Sequence, residues 1–178
     1  MSIESAHYFN VIIGVGVITL QILTLLTFIL LIFSRENKFL DFVKKYFIQI
    51  GFLISVSGVL VSTFYSEVLN YLPCFHCWIQ RIFMFPQTLI FGVAWIRKDK
   101  NVLWYSLPLT IFGLIDAIYL IYLYYFNTSS APCDASGVSC TLHYVTEFGG
   151  YISIPTLSIS GFVALLTLLA VAHFYKKG

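Results

Sequence analysis

The chain has 178 residues, of which 59% are apolar and only 10% are charged. Soluble domains contain about 25% charged residues, so the composition argues against a water-soluble fold. The formal net charge of +2 gives no reason to expect a nucleic-acid partner. The apolar residues form long uninterrupted runs, which is typical of membrane-spanning helices, whereas a membrane β-barrel needs shorter segments of alternating hydrophobicity.

Five apolar runs follow one another along the chain. The first, Phe9 to Phe33, contains no charge and exceeds the core of a signal peptide, which has about 7–15 apolar residues, so we expect a retained spanning helix. The other four extend from Tyr46 to about Tyr65, from Ile82 to Ile96 with Trp78 and Ile79 added, from Val102 to Phe126, and from Ile154 to Phe174. The sequence therefore predicts an all-α membrane protein, a bundle of five transmembrane helices.

The basic residues indicate how this bundle lies in the membrane. Five spans place three segments on the same side of the membrane: the connector at 34–45, the connector at 97–101 and the C-terminus. These segments hold nine of the ten Lys and Arg residues. Only Arg81 lies on the other side. Because basic residues concentrate in cytoplasmic loops, we expect a multi-pass cell-membrane protein with its C-terminus in the cytoplasm and its N-terminus outside.

The four cysteines fall in the two predicted outer loops, and none is expected inside a helix. They form two pairs, Cys74 with Cys77 and Cys133 with Cys140. Disulfides persist outside the cytoplasm and are rare within it. The placement of the cysteines therefore agrees with the orientation that the charges indicate.

The first pair has the Cys-x-x-Cys spacing and leads into an apolar helix. A thiolate near a helix N-terminus is stabilised by unpaired N–H groups and the helix dipole. His76 between the cysteines and Arg81 one turn after Cys77 are expected to lower the thiol pKa further. A lower thiol pKa stabilises the reduced form and makes the disulfide a stronger oxidant. Redox chemistry is favoured over two alternatives, a structural disulfide and a zinc site of four cysteines.

The second pair differs in character. Six residues separate Cys133 from Cys140, and the loop between them contains Asp134, Ser136 and Gly137. This composition indicates a flexible arm rather than a zinc knuckle. Disulfide exchange requires one pair to move between partners. A mobile pair could take electrons from a soluble protein thiol and pass them to the anchored pair, whose own acceptor must come from the lipid. A quinone fits that requirement.

Four stretches also resemble a known family. They are Phe64-Tyr-Ser-Glu67, Pro73-Cys-Phe-His-Cys-Trp-Ile-Gln-Arg-Ile-Phe-Met-Phe-Pro86, the later cysteine pair, and Ile152-Ser-Ile-Pro155. Together they resemble the bacterial disulfide bond formation proteins of the DsbB/BdbC type, over about Tyr46 to the C-terminus. Vitamin K epoxide reductase-like proteins have a similar bundle but carry the cysteine pairs in the opposite order.

The resemblance implies roles by position. Cys77 is expected to face a quinone, ubiquinone or menaquinone, with Arg81 holding or polarising the quinone oxygen. Cys74 is expected to exchange with the second loop. Cys133 is expected to form the mixed disulfide with an extracytoplasmic DsbA-like thioredoxin-fold oxidase and Cys140 to resolve it, although which of these two meets the partner stays open.

The resemblance also divides the chain. Residues 46–178 correspond to a DsbB-like four-helix redox domain, whereas 1–45 add an N-terminal transmembrane helix and a cytoplasmic connector. The family provides no role for this helix, and a plain extra anchor is favoured over packing or partner docking. Two further functional alternatives remain: a reductase that runs the reaction in reverse, in the epoxide-reductase manner, and a non-enzymatic membrane protein whose outer loops are stapled by disulfides.

One carboxyl group lies deep in a predicted span. Asp116 is about ten residues, or roughly 15 Å, from the outer end of the fourth helix, where a carboxyl group is costly. It either relays protons to a quinone or forms a hydrogen bond that locks helix packing, for example to a Ser or Tyr on a neighbouring helix. The packing role is favoured.

Overall fold

A computed structural model describes residues 3–33, 37–126, 144–145 and 148–175 of the protein. Over these residues it is a bundle of α-helices. In chain order they are α1 (Ile3–Phe33), α2 (Lys38–Lys45), α3 (Phe47–Thr63), α4 (Phe75–Arg97), α5 (Val102–Phe126) and α6 (Ile154–Phe174), with a π-helical turn at Phe64–Val68 that continues α3. All of these except α2 are long and apolar enough to cross a membrane. The predicted fold class, an all-α membrane bundle with five spans, is confirmed.

The connector after the first span contains a helix that the sequence did not predict. Helix α2 begins after Asn37, whose side chain accepts a hydrogen bond from the N–H of Phe39 at 2.8 Å. Its apolar side is buried at Leu40 and Val43. At the last turn, Lys44 Nζ donates to the carbonyl oxygen of Tyr175. The amphipathic helix α2 therefore packs at the C-terminal end of α6.

Helices α3, α4, α5 and α6 pack as sequential neighbours, and glycines allow close approach at two of these contacts. A Cβ atom at Gly51 of α3 would overlap the ring of Phe91 on α4, and one at Gly113 of α5 would overlap the ring of Phe162 on α6. Small residues at helix contacts are characteristic of membrane bundles, where close packing must replace the hydrophobic effect. These two contacts fix how the four helices stack.

Polar side chains add a second kind of contact between the helices. Gln87 of α4 is fully buried, and its Oε1 accepts hydrogen bonds from Ser106 Oγ at 2.6 Å and from Thr110 Oγ1 at 3.2 Å. Both donors lie on α5. Because such side chains find no water within a bilayer, each bond ties its two helices together.

Helix α1 is integrated into the bundle. It packs mainly on α6, where Gln21 Nε2 donates to Ser160 Oγ at 2.8 Å. Towards its N-terminal end, Asn10 Oδ1 accepts a hydrogen bond from Tyr65 of the π-helical turn at 3.1 Å. These contacts fit the packing alternative for this helix better than the favoured expectation of a plain anchor.

Candidate redox site

The first cysteine pair lies at the start of α4, and the helix begins earlier than predicted. Cys74 is the N-cap and Phe75 the first helical residue. Cys77 therefore lies in the first turn of the helix and not in the predicted loop, although it is not in the helix interior. The reason is that Gln80 and Arg81 interrupt the apolar run but are good helix formers. The Cys77 N–H donates to Cys74 Sγ at 3.4 Å, as expected for an N-cap side chain.

The two sulfur atoms are close enough for redox chemistry. Cys74 Sγ and Cys77 Sγ are 2.7 Å apart, and both residues are free thiols. A disulfide bond is about 2.05 Å long, so a small movement closes the ring. The arrangement therefore places the two thiols where they can form a disulfide.

Cys74 lies in surroundings that favour its thiolate. The hydrogen bond from the Cys77 thiol is the largest influence and lowers the pKa of Cys74 from 9.0 to about 7. Burial opposes this shift, whereas the Cys77 N–H and the charge of His76 add to it. The residue is only 5% exposed and packs against Leu120 and Leu123 of α5. The sequence-based expectation that the helix start and His76 lower a thiol pKa therefore holds for Cys74.

His76 also has a partner that the sequence did not reveal. Its Nδ1 lies 2.6 Å from Oδ1 of Asp116 on α5, and the two side chains are only 7% and 11% exposed. The predicted Ser or Tyr partner of Asp116 is therefore wrong. The edge of the Tyr119 ring covers the imidazole, with centroids 5.2 Å apart. This pair joins the redox helix to α5, and neither side chain lines the cavity described below.

Arg81 lies one turn after Cys77 and is held against α3. Its Nε donates to Ser62 Oγ at 2.9 Å, and its Nη2 donates to the Ser62 carbonyl at 3.0 Å and to Ser66 Oγ at 2.9 Å. The guanidinium carbon also lies 5.0 Å from the centre of the Trp78 ring. The two serines were not singled out from the sequence, although Ser66 belongs to one of the stretches that carry the family resemblance.

Both cysteines and Arg81 line one cavity of about 450 Å³. Its volume falls within the range of about 300–1,000 Å³ that is usual for small-molecule sites. Near the cysteines the wall is partly polar, and Gln80 contributes a side-chain nitrogen, Nε2, that is buried without a hydrogen-bond partner among the described residues. Further from the cysteines the wall is apolar, with Leu53, Ile54, Val17, Leu20, Phe85 and Phe162 among its residues.

The structure thus brings together three of the five predicted site residues, Cys74, Cys77 and Arg81. Cys133 and Cys140 lie outside the described residues. Where the described chain resumes, the ring of Tyr144 stacks on that of Tyr71 with centroids 4.7 Å apart. The end of the second loop is therefore fixed to the segment that leads into Cys74.

A metal centre finds no support in the described part of the chain, which contains no cluster of three or more His, Cys, Asp or Glu side chains able to hold an ion. The zinc alternative requires Cys133 and Cys140 as well, and these lie beyond the described ranges.

Comparisons with known proteins agree with this site. The family model for "Disulfide bond formation protein DsbB" matches residues 44–172. The chain is 42% identical over 135 residues to a probable disulfide formation protein C 2 of Bacillus anthracis, covering 76% of this chain and 96% of the relative. It is 34% identical over 138 residues to a probable disulfide formation protein of Chlamydia pneumoniae, covering 77% and 98%. No solved structure shows a significant match. The chain belongs to the DsbB family of disulfide bond formation proteins.

Proposed function

We propose that this protein is a protein-dithiol:quinone oxidoreductase of the cell membrane. It reoxidises a DsbA-like thioredoxin-fold oxidase outside the cytoplasm and passes the electrons through Cys133 and Cys140, then through Cys74 and Cys77, to ubiquinone or menaquinone. The observation that carries this proposal is the position of the Cys74/Cys77 dithiol, which lines a mainly apolar cavity together with the cation of Arg81.

The cavity suits a quinone. A quinone has a flat ring with two carbonyl oxygens and an apolar chain, and it accepts two electrons and two protons. Two groups near the cysteines could donate hydrogen bonds to those oxygens: Nε2 of Gln80, which has no other partner among the described residues, and the Arg81 guanidinium, whose Nη1 takes no part in the bonds to α3. The apolar remainder of the cavity suits the chain.

The residues of α4 would divide the work of thiol oxidation. Oxidation of the Cys74/Cys77 dithiol to a disulfide releases two electrons and two protons, which match what the acceptor takes up. The bond to Cys77 favours the Cys74 thiolate, so that about half of the molecules would already have lost one proton at pH 7. Arg81 lies one turn after Cys77 on α4, and both side chains line the same cavity. A preorganised cation at the place where charge develops lowers the barrier.

The second loop would then regenerate the oxidised partner. A thiolate of the reduced partner attacks the Cys133–Cys140 disulfide, and the partner leaves as a disulfide. The dithiol formed in the loop attacks the Cys74–Cys77 disulfide, which returns the first pair to its reduced state. The Tyr144–Tyr71 stack supports this exchange, since Cys140 is four positions before Tyr144 and the chain between them spans at most about 14 Å.

The orientation and the division into domains belong to the same proposal. The N-terminus and both cysteine pairs face outward and the C-terminus faces the cytoplasm, while residues 46–178 form the redox domain and 1–45 add a helix and a connector. The packing of basic α2 beside the end of α6 supports one shared cytoplasmic end. A membrane-impermeant maleimide tests the orientation in a protein whose four native cysteines are replaced by serine. In intact cells it should label a cysteine placed at Ser2 and not one placed at Gly178.

The decisive assay uses purified protein, a reduced thioredoxin-fold oxidase and either quinone, and follows quinone absorbance. We expect turnover by the wild type and none by Cys77→Ser, with thermal unfolding in detergent showing that the variant is folded. If neither quinone is reduced and all four cysteines are locked in unreactive disulfides, the stapled-scaffold alternative is correct. Net reduction of the oxidase by added quinol would favour the reverse reductase.

A further inference from the structure

Helix α1 forms part of the cavity wall although it lies outside the residues that match the family. The match covers 44–172, whereas Ile13, Gly16, Val17 and Leu20 of α1 line the cavity that contains the cysteines. These four positions recur at helical spacing, so they occupy one face of α1 over about 10 Å. The added helix therefore supplies a surface to the proposed quinone site.

The facing wall belongs to α3. Its lining residues extend along the helix from Leu53 to Ser62 and continue to Ser66 in the π-helical turn, a length of about 20 Å at roughly 1.5 Å per residue. Ser62 and Ser66 lie at the end near Arg81, Ser57 lies between the two ends, and Leu53 and Ile54 at the far end are apolar. Between α1 and α3 the cavity is thus a slot that extends from the end near Arg81 to the surface of the bundle, where Leu53 is 66% exposed.

Three contacts hold α1 at a fixed position beside this slot. Asn10 is bonded to Tyr65 at its outer end, and Gln21 bridges Ser160 at 2.8 Å and Tyr151 at 3.0 Å. Polar side chains within a membrane span are costly unless they are paired, so these bonds specify the position of the helix.

Glycine keeps the slot open. A Cβ atom at Gly16 would meet no atom within 4 Å, so the space beside it is free. At Gly14, on a different face of α1, a Cβ atom would lie 2.7 Å from the Phe148 ring. One glycine thus serves packing, while the other borders empty space in the cavity.

We infer that the slot between α1 and α3 binds the isoprenoid chain of the quinone whose ring lies at Cys77 and Arg81, so that α1 is a determinant of quinone specificity. The inference rests on the proposed function. The continuity of the cavity argues for this occupant, because a ring bound at the polar end has the apolar slot as the extension of its site.

The test compares two quinones in matched variants. Gly16→Phe fills the slot, and Val17→Phe does so from a neighbouring lining position. Val15→Phe adds the same bulk at a position that is 53% exposed and outside the cavity lining. We expect the two slot variants to raise KM at least about tenfold for a long-chain quinone, which corresponds to roughly 1.4 kcal/mol. In the slot variants, the KM for the analogue without the isoprenoid chain should stay at the wild-type level. In Val15→Phe, the KM values for both quinones should stay at the wild-type level.

A second measurement does not depend on turnover. A quinone that carries a photoactivatable diazirine in its isoprenoid chain is crosslinked to the wild-type protein, and the labelled peptides are mapped by mass spectrometry. Label on the segment 13–20 that is lost in Gly16→Phe supports the inference. The inference is overturned if the label is found only on other segments. It is also overturned if the KM for the long-chain quinone is the same in both slot variants as in the wild type. If the wild type turns over neither quinone, the proposed function is refuted. The inference about the slot is then decided by the crosslinking result without the KM values.

Discussion

The thiol–thiol hydrogen bond at the start of α4 makes a quantitative prediction about ionisation. With this bond the pKa of Cys74 is about 7, compared with 9.0 for the unperturbed thiol. At pH 7 about half of the molecules would then carry a thiolate, whereas only about one in a hundred would do so without the shift. Cys77→Ala removes the largest cause of the shift and should move the ionisation midpoint well above 7. Cys77→Ser retains a hydroxyl donor, so its ionisation midpoint should lie between those of the wild type and Cys77→Ala.

The assay is a pH titration of thiolate ultraviolet absorbance in protein that carries Cys133→Ser and Cys140→Ser, so that only the first pair contributes. Since interacting thiols titrate as a pair, the intact dithiol should lose its first proton near pH 7. Its thiolate should increase as the pH rises through that value. A midpoint near 9 for the intact pair, or the same midpoint near 7 in Cys77→Ala, would show that this hydrogen bond is not the cause.

Three further predictions concern the surroundings of the redox pair. Asp116→Asn weakens a buried hydrogen bond with His76 and should cost about 1–3 kcal/mol of unfolding free energy with little change in kcat. A large fall in kcat with an unchanged unfolding midpoint would instead indicate a proton relay. Arg81→Lys cannot reproduce the forked contacts with α3 and should lower kcat/KM for quinone about ten- to hundredfold. The matched control is Arg97→Lys, at the exposed end of the same helix, which should behave as wild type. Gly113→Val drives a side chain into the Phe162 ring and should destabilise the bundle by about 1–3 kcal/mol, measured as a lower midpoint of thermal unfolding in detergent; an unchanged midpoint would mean that α5 and α6 separate easily.

Much of the fold could be predicted because the hydropathy of each segment of a membrane protein indicates whether that segment forms a spanning helix. The spans at Val102–Phe126 and Ile154–Phe174 agree with the predicted runs because uninterrupted apolar sequence leaves the backbone only one way to satisfy its hydrogen bonds in lipid. The start of α4 was missed because polar residues there face a cavity and a neighbouring helix, so that the helix continues beyond the apolar run.

The contacts between helices could not be predicted in the same way. The bond between His76 and Asp116 depends on how far α4 and α5 are displaced along each other, and no sequence spacing records that displacement. The position of α1 beside α3 and α6 is likewise a tertiary property. Both involve polar residues within or beside apolar runs, Asp116 in α5 and Gln21 in α1, and such residues are the signal that a sequence can offer.

The burial of Cys74 has a consequence for the route of electron transfer. Disulfide exchange requires an attacking thiolate to approach along the sulfur–sulfur axis, and Leu120 and Leu123 cover one side of the Cys74 sulfur. Under the proposed function the second loop would be the route to this sulfur, and a low-molecular-weight reductant would have to act through that loop, as the partner protein would. The membrane quinone pool would then be insulated from the general thiol pool outside the cell. Electrons from a folding client protein would reach the quinone only by way of the oxidase.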